Sequence, residues 1–242
     1  MTRTHSTKNP ALALALAAGL ALAAPAAAQG PSPYPAMAPL AEYLMADRAA
    51  EIALARSAAP PSVSDKAEVL VLGPHGYVPA ASGSNGFVCI VSRQWFAGFD
   101  DPGFWNPKGR GPICFNPEAA RTVLPTFLAR TDWVLAGVSR EEIEKRTRAE
   151  MASGKIPTPA QGAMTFMMSK GGYLGDGPHG PWHPHIMFYL PPIPTDDWGA
   201  NMAGTRIFAT PAGDGPYTTF YVLVAFWSDG TPDESAGAKH AM

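Results

Sequence analysis

The chain has 242 residues, with 18 Lys and Arg against 20 Asp and Glu and a formal charge of −2. Mild acidity with scattered cations speaks against nucleic acid or an anionic membrane surface as the main partner. Past the N-terminal region no apolar run approaches the roughly 20 residues of a membrane-spanning helix; the longest, 220–227, is one strand's worth.

The first ten residues carry Arg3, His5 and Lys8 and no acid, an apolar run fills 11–24, and Pro25, Ala26, Ala27 and Ala28 precede Gln29. A cationic start, a short apolar stretch and a small-residue cut site are the parts of a secretory signal peptide, expected over 1–28. No Arg pair precedes the run and no Cys follows the cut, so the expected product travels the general route, without a lipid anchor, to a secreted or periplasmic location. The remaining length suits one domain. In an oxidising compartment Cys89 and Cys114 are expected to form a disulfide.

Residues 29–39 read as a Pro-rich extended tail and 40–58 as a helix ended by Pro60 and Pro61. Three short apolar runs, 68–72, 77–81 and 87–93, are separated by turn residues and read as an antiparallel meander. The segment 94–117 is long and rich in Pro, Gly and aromatics (Trp95, Phe96, Phe99, Phe104, Trp105), and a loop of that length must be pinned down. Asn116 before Pro117 starts a helix, which Pro125 kinks or restarts. Ser139 with Glu142 is a capping box for a charged surface helix ending at Gly154, supported by the spacings Glu141–Lys145, Glu142–Arg146 and Glu144–Arg148. Strands are expected over 163–169, 185–190, 206–210 and 218–227, and a frayed end over the last dozen residues. Strands, then helices, then strands predict an α+β fold with a mostly antiparallel sheet and two or three helices, in a single domain over 40–235.

The motifs NGFVC (85–89), PICFN (112–116), GAMxxMMS (162–169), HPHIMFY (183–189) and WSDGT (227–231) together resemble a family of uncharacterised exported bacterial proteins. The resemblance covers most of the chain after the signal peptide. It implies an exported single domain, and it carries no activity.

Candidate chemistry concentrates in His179, His183 and His185, with Asp176 just before them. On a strand, His183, His185, Met187 and Tyr189 point one way, while Ile186, Phe188 and Leu190 point the other and form the expected core face. Imidazoles with a thioether beside them suit copper or zinc, so His179, His183, His185 and Met187 form the candidate metal set, with Met167 brought near if 163–169 pairs with 185–190. The competing reading is structural: hydrogen-bonded histidines at a strand entry and methionines filling the core. Gly177, five residues and His183-x-His185 also match the first half of a cupin pattern, but Tyr189 and Leu190 stand where its Glu belongs. Ser84 to Val88 is similar to the segment after the nucleophile of NlpC/P60 peptidases, with Ser84 in place of Cys; that reading gives a hydrolase with His185 as base. A turn before a strand explains the same residues. The third reading is a structural or partner-binding exported domain, favoured if the aromatic loop 95–105 forms an exposed patch.

Overall fold

The computed structural model describes residues 33–175, 183–210 and 217–234. The expected signal peptide, the start of the tail, Asp176 and His179 lie outside the described residues. In chain order the elements are α1 (Leu40–Tyr43), α2 (Arg48–Arg56), α3 (Pro61–Ser64), β1 (Glu68–Gly73), β2 (Gly76–Ala81), β3 (Val88–Ser92), β4 (Gly111–Phe115), α4 (Pro117–Thr122), α5 (Leu124–Leu135), α6 (Arg140–Ala152), β5 (Met164–Met167), β6 (His185–Leu190), β7 (Ile207–Thr210) and β8 (Thr218–Leu223). The strands form one eight-stranded sheet in the order β2-β1-β3-β4-β5-β6-β8-β7. The architecture is α+β, as expected, and α2, α5 and α6 are its longer helices. A single open sheet is not the double-sheet jelly roll of a cupin.

The predicted helix 40–58 divides. Asp47 accepts hydrogen bonds from the backbone N–H groups of Ala49 and Ala50, and so becomes the N-cap of a new helix. Asp is a poor interior residue and a good cap, and that preference outweighs the helix formers on either side. Arg48, next in line, donates to the Pro79 carbonyl on β2 at 2.7 Å. The other helix signals hold. Asn116 caps α4 through the Ala119 N–H, Pro125 falls in the first turn of α5, and Ser139 caps α6 through the Glu142 N–H. Glu142–Arg146 and Glu144–Arg148 form on the exposed side of α6, while Ile143, Thr147 and Met151 form its buried side.

The meander is corrected. β1 and β2 form the expected hairpin, but β3 lies on the other side of β1 and runs parallel to it, with Glu68 opposite Val88 and Val69 opposite Cys89. The link from β2 passes beneath the start of β1, where Ser84 N–H donates to Lys66 and Glu68 N–H to Phe87. Gly83 makes the crossing possible: a Cβ there would lie 2.1 Å from the Glu68 nitrogen. β3 then pairs antiparallel with β4, placing Cys89 directly opposite Cys114, and the two form the expected disulfide.

The sheet is packed on both faces. Val69, Val71, Cys89, Val91 and Cys114 meet the alanines of and after α2 (Ala55, Ala58, Ala59). Leu70, Ile90, Ile113 and Phe115 meet Ala119, Val123 and Leu124 of α4 and α5, in a cluster that continues into Met167, Met187 and Tyr189. Phe188, Leu190, Ala209 and Phe220 form a smaller cluster with Ala200 on the face opposite Met187. The aromatic segment folds inward: Trp95 and Phe104 are fully buried with Tyr43, Leu72, Val134 and Ile143. Tyr34, Met37 and Ala38 of the expected tail pack against this cluster.

One charged pair sits inside. Arg93 donates from Nη2 to Glu51 at 2.8 Å, and their side chains are 0% and 2% exposed. Arg93 also bonds the Tyr43 and Val91 carbonyls, and Leu72 N–H donates to the same Glu51 oxygen. Satisfied on both sides, the pair ties α1, α2, β1 and the end of β3 together, where an unmatched partner would cost about 3–5 kcal/mol.

Candidate functional site

β5 and β6 pair as expected, with Met167 opposite His185 and Thr165 opposite Met187. On the far side of β6, Met187 faces Tyr221 and His185 faces Leu223 of β8. Alternation therefore puts His185, Met187, Tyr189, Met167, Thr165 and Tyr221 on one face, the face that α4 and α5 cover. This is the more deeply buried face: Met187 and Tyr189 are 5% and 3% exposed, whereas Ile186, Phe188 and Leu190 are only partly buried. The expected core face is thus the shallower one, because packing on both sides of the sheet removes the polar-out signal.

His183 stands just ahead of β6, and its Nδ1 lies 2.8 Å from Asp233 Oδ2. The carboxylate side chain is 3% exposed and the imidazole 23%. Asp233 arrives there through a return of the chain after β8. Val224 N–H donates to the Pro184 carbonyl, Asp229 and Gly230 turn the backbone, and Asp233 N–H donates to Ala225. The turn is locked by Asp229 Oδ1, which accepts from the N–H and hydroxyl of Thr231. Ser228 joins it to the body of the protein, donating from N–H to Met168 and from its hydroxyl to Ser57.

His185 Nδ1 is 2.8 Å from the His183 carbonyl oxygen. A carbonyl only accepts, so this nitrogen carries the proton and the lone pair of the neutral ring is on Nε2. Burial lowers the His185 pKa and the neighbouring His183 lowers it further, against an upward pull from the carbonyl bond. The ring is therefore neutral at neutral pH, the form that ligates a metal or accepts a proton. For His183, the carboxylate on Nδ1 orients the ring and makes its other nitrogen a better donor to a metal.

The thioethers are less available. Met187 Sδ accepts a hydrogen bond from the Tyr189 hydroxyl at 3.7 Å, and both Met187 and Met167 belong to the main core. Among the described residues no group of three or more His, Cys, Asp and Glu side chains could hold a metal ion. Of the candidate metal set, His183 and His185 adjoin at the start of β6, Met187 lies further along the strand in the core, and His179 lies outside the described residues.

Ser84 is not part of this site. It sits in the β2–β3 link, and β3 is three strand spacings from β6, about 14 Å, beyond hydrogen-bond reach. The segment 84–88 is the turn and strand entry that the plainer reading expects: Asn85 bonds the Val63 carbonyl and the Phe87 N–H. Sequence reasoning missed Asp233, which it placed in a frayed end. The Asp229–Gly230 turn signal, carried three residues further, returns the chain to the entry of β6.

Compared with known proteins, the chain matches no family model, no curated protein and no solved structure. Fold and site together define an α+β protein with one open sheet and a pair of oriented imidazoles, one backed by a buried carboxylate, at the end of an inner strand.

Proposed function

We propose that the chain is an exported protein that binds a metal ion, copper or zinc, or a small ligand through the His183/His185 end of β6. The observation that carries this reading is the anchoring of both rings through Nδ1, His183 on the Asp233 carboxylate and His185 on a backbone carbonyl. Metal-ligating histidines are held in this way. Imidazole with thioether close by favours copper. The cationic, apolar and small-residue order of the first 28 residues and the disulfide support export.

The test is metal content by mass spectrometry on protein purified without chelator or His tag, followed by copper and zinc titration. About one equivalent per chain is expected, lost when His183 and His185 are both replaced by Ala. Asp233→Asn is expected to weaken binding by about 10–100-fold. No metal on purification and no uptake on titration would retire the metal reading.

The second reading is hydrolysis, and the His183–Asp233 pair is the observation that favours it, since a carboxylate on Nδ1 is how a general base is oriented. It moves the base from His185 to His183. Its signature is ester or peptide turnover that survives His185→Ala and disappears in His183→Ala; silence across a broad substrate panel sinks it.

A further inference from the structure

Arg206 immediately precedes β7, and its carbonyl accepts from the Leu223 N–H, so it stands opposite Leu223 on β8. Leu223 in turn faces His185 on β6. Residues opposite one another share a face of the sheet, and Ile207, the next residue, packs with Phe188 and Phe220 on the other face. Arg206 therefore lies on the His185 face, two strands away. Its Nη2 reaches the Val224 carbonyl at 3.5 Å, the limit of a hydrogen bond. Val224 N–H donates to Pro184, the residue between the two histidines.

This cation has room beside it. The register that pairs His185 with Leu223 brings Ala225 beside His183, and Asp233 N–H donates to Ala225 from its other side. Ala225 is exposed, and His183, His185 and Arg206 are all partly exposed, so the space between the rings and the guanidinium is open to solvent. The Asp233 carboxylate is 3% exposed and held on His183 Nδ1. Among the described residues no carboxylate stands at salt-bridge distance from Arg206, and its Nε has no hydrogen-bond partner.

A metal at this end meets two imidazoles and few other donors. Met187 lies in the core with the Tyr189 hydroxyl on its sulfur, and among the described residues no set of three His, Cys, Asp or Glu side chains gathers. Zinc takes four ligands and copper(II) at least four, so two positions are left to a group from outside these side chains. A dication beside a guanidinium is repelled unless an anion lies between them. We infer that the metal is taken together with a small chelating carboxylate, whose oxygens fill the open positions and accept from the Arg206 N–H groups. The inference rests on the metal reading of the His183/His185 end and names its co-ligand.

The test is equilibrium dialysis of the full chain against copper(II) held at fixed free concentrations, with and without oxalate. Oxalate is expected to tighten copper binding by at least about tenfold, and copper to tighten oxalate binding by the same factor. The copper–ethylenediamine complex fills the same positions without an anion and is expected to bind no tighter than copper alone. Arg206→Met should bind copper alone at least as tightly as the native chain, since a cation beside the metal is gone, and should lose the oxalate effect. Arg206→Lys keeps the charge without the fork and should keep only part of that effect. Copper uptake that oxalate leaves unchanged overturns the inference and leaves the metal reading standing. No copper uptake under either condition overturns both. An undiminished oxalate effect in Arg206→Met, or ethylenediamine acting as strongly as oxalate, also overturns the inference.

Discussion

At the scale of single residues, His185 makes stability depend on pH with a definite sign. Its folded pKa lies below the ordinary 6.5, so between those two values the unfolded chain binds more protons than the folded one. Stability therefore rises with pH across that window, is complete above the unfolded value, and is lost as pH falls through the folded one. Chelator-treated protein should show a higher urea midpoint at about pH 7.5 than at about pH 5, by no more than about 1.4 kcal/mol per pH unit spanned. His185→Gln should flatten the difference, and an equal slope in that variant would assign the effect to other groups. Residues that act on their neighbours in sequence were legible. Asn116 and Ser139 cap where expected. Residues whose partners are distant in sequence were not. Glu51 meets Arg93 across 42 positions and His183 meets Asp233 across 50, and no local spacing encodes either contact.

Elements were read correctly where hydrophobic period and turn chemistry agree. The strands over 163–169 and 185–190 pair with the register that puts Met167 against His185. The sequence-based reading failed at β3, since a tight Gly-rich link between short strands signals a hairpin and gives no sign that the chain will cross beneath a strand. Gly83 is the physical trace of that crossing. A methyl group there would meet the Glu68 nitrogen at 2.1 Å and the Ala67 carbonyl carbon at 2.7 Å, both backbone atoms that cannot turn aside. Gly83→Ala should therefore displace the link from β1 and cost about 1–3 kcal/mol in urea unfolding. An unchanged midpoint would mean that the crossing tolerates a wider path. β6 shows a second limit. Its two faces are both apolar because it is an inner strand with packing on each side, so alternation alone cannot rank them.

For the whole molecule, the Cys89–Cys114 bond joins the neighbouring inner strands β3 and β4, under the alanines of α2. Its 25-residue separation encloses β4's approach and the entire aromatic segment, so cutting it frees that segment in the unfolded chain. In the chain-entropy model the loss is about 3.5 kcal/mol. Unfolding by urea with and without prior reduction under denaturing conditions measures it, and coincident curves would show that the sheet alone orders the segment. The aromatic run was recognisable as a loop that had to be pinned, but whether it turned inward depended on what α1 and α6 would leave uncovered. Trp95 and Phe104 fill that space, which removes the argument for an exposed aromatic patch.

The bond from Arg48 to Pro79 bears on how this protein meets copies of itself. An open sheet has two rims, and unblocked rims recruit strands from other chains. At the β2 rim, Pro79 has no N–H to offer and its carbonyl is already occupied by a guanidinium from α2. The other rim, β7, is only four residues long. A proline with an occupied carbonyl interrupts one rim and the other strand is short, so crowding many copies together should not lengthen the sheet.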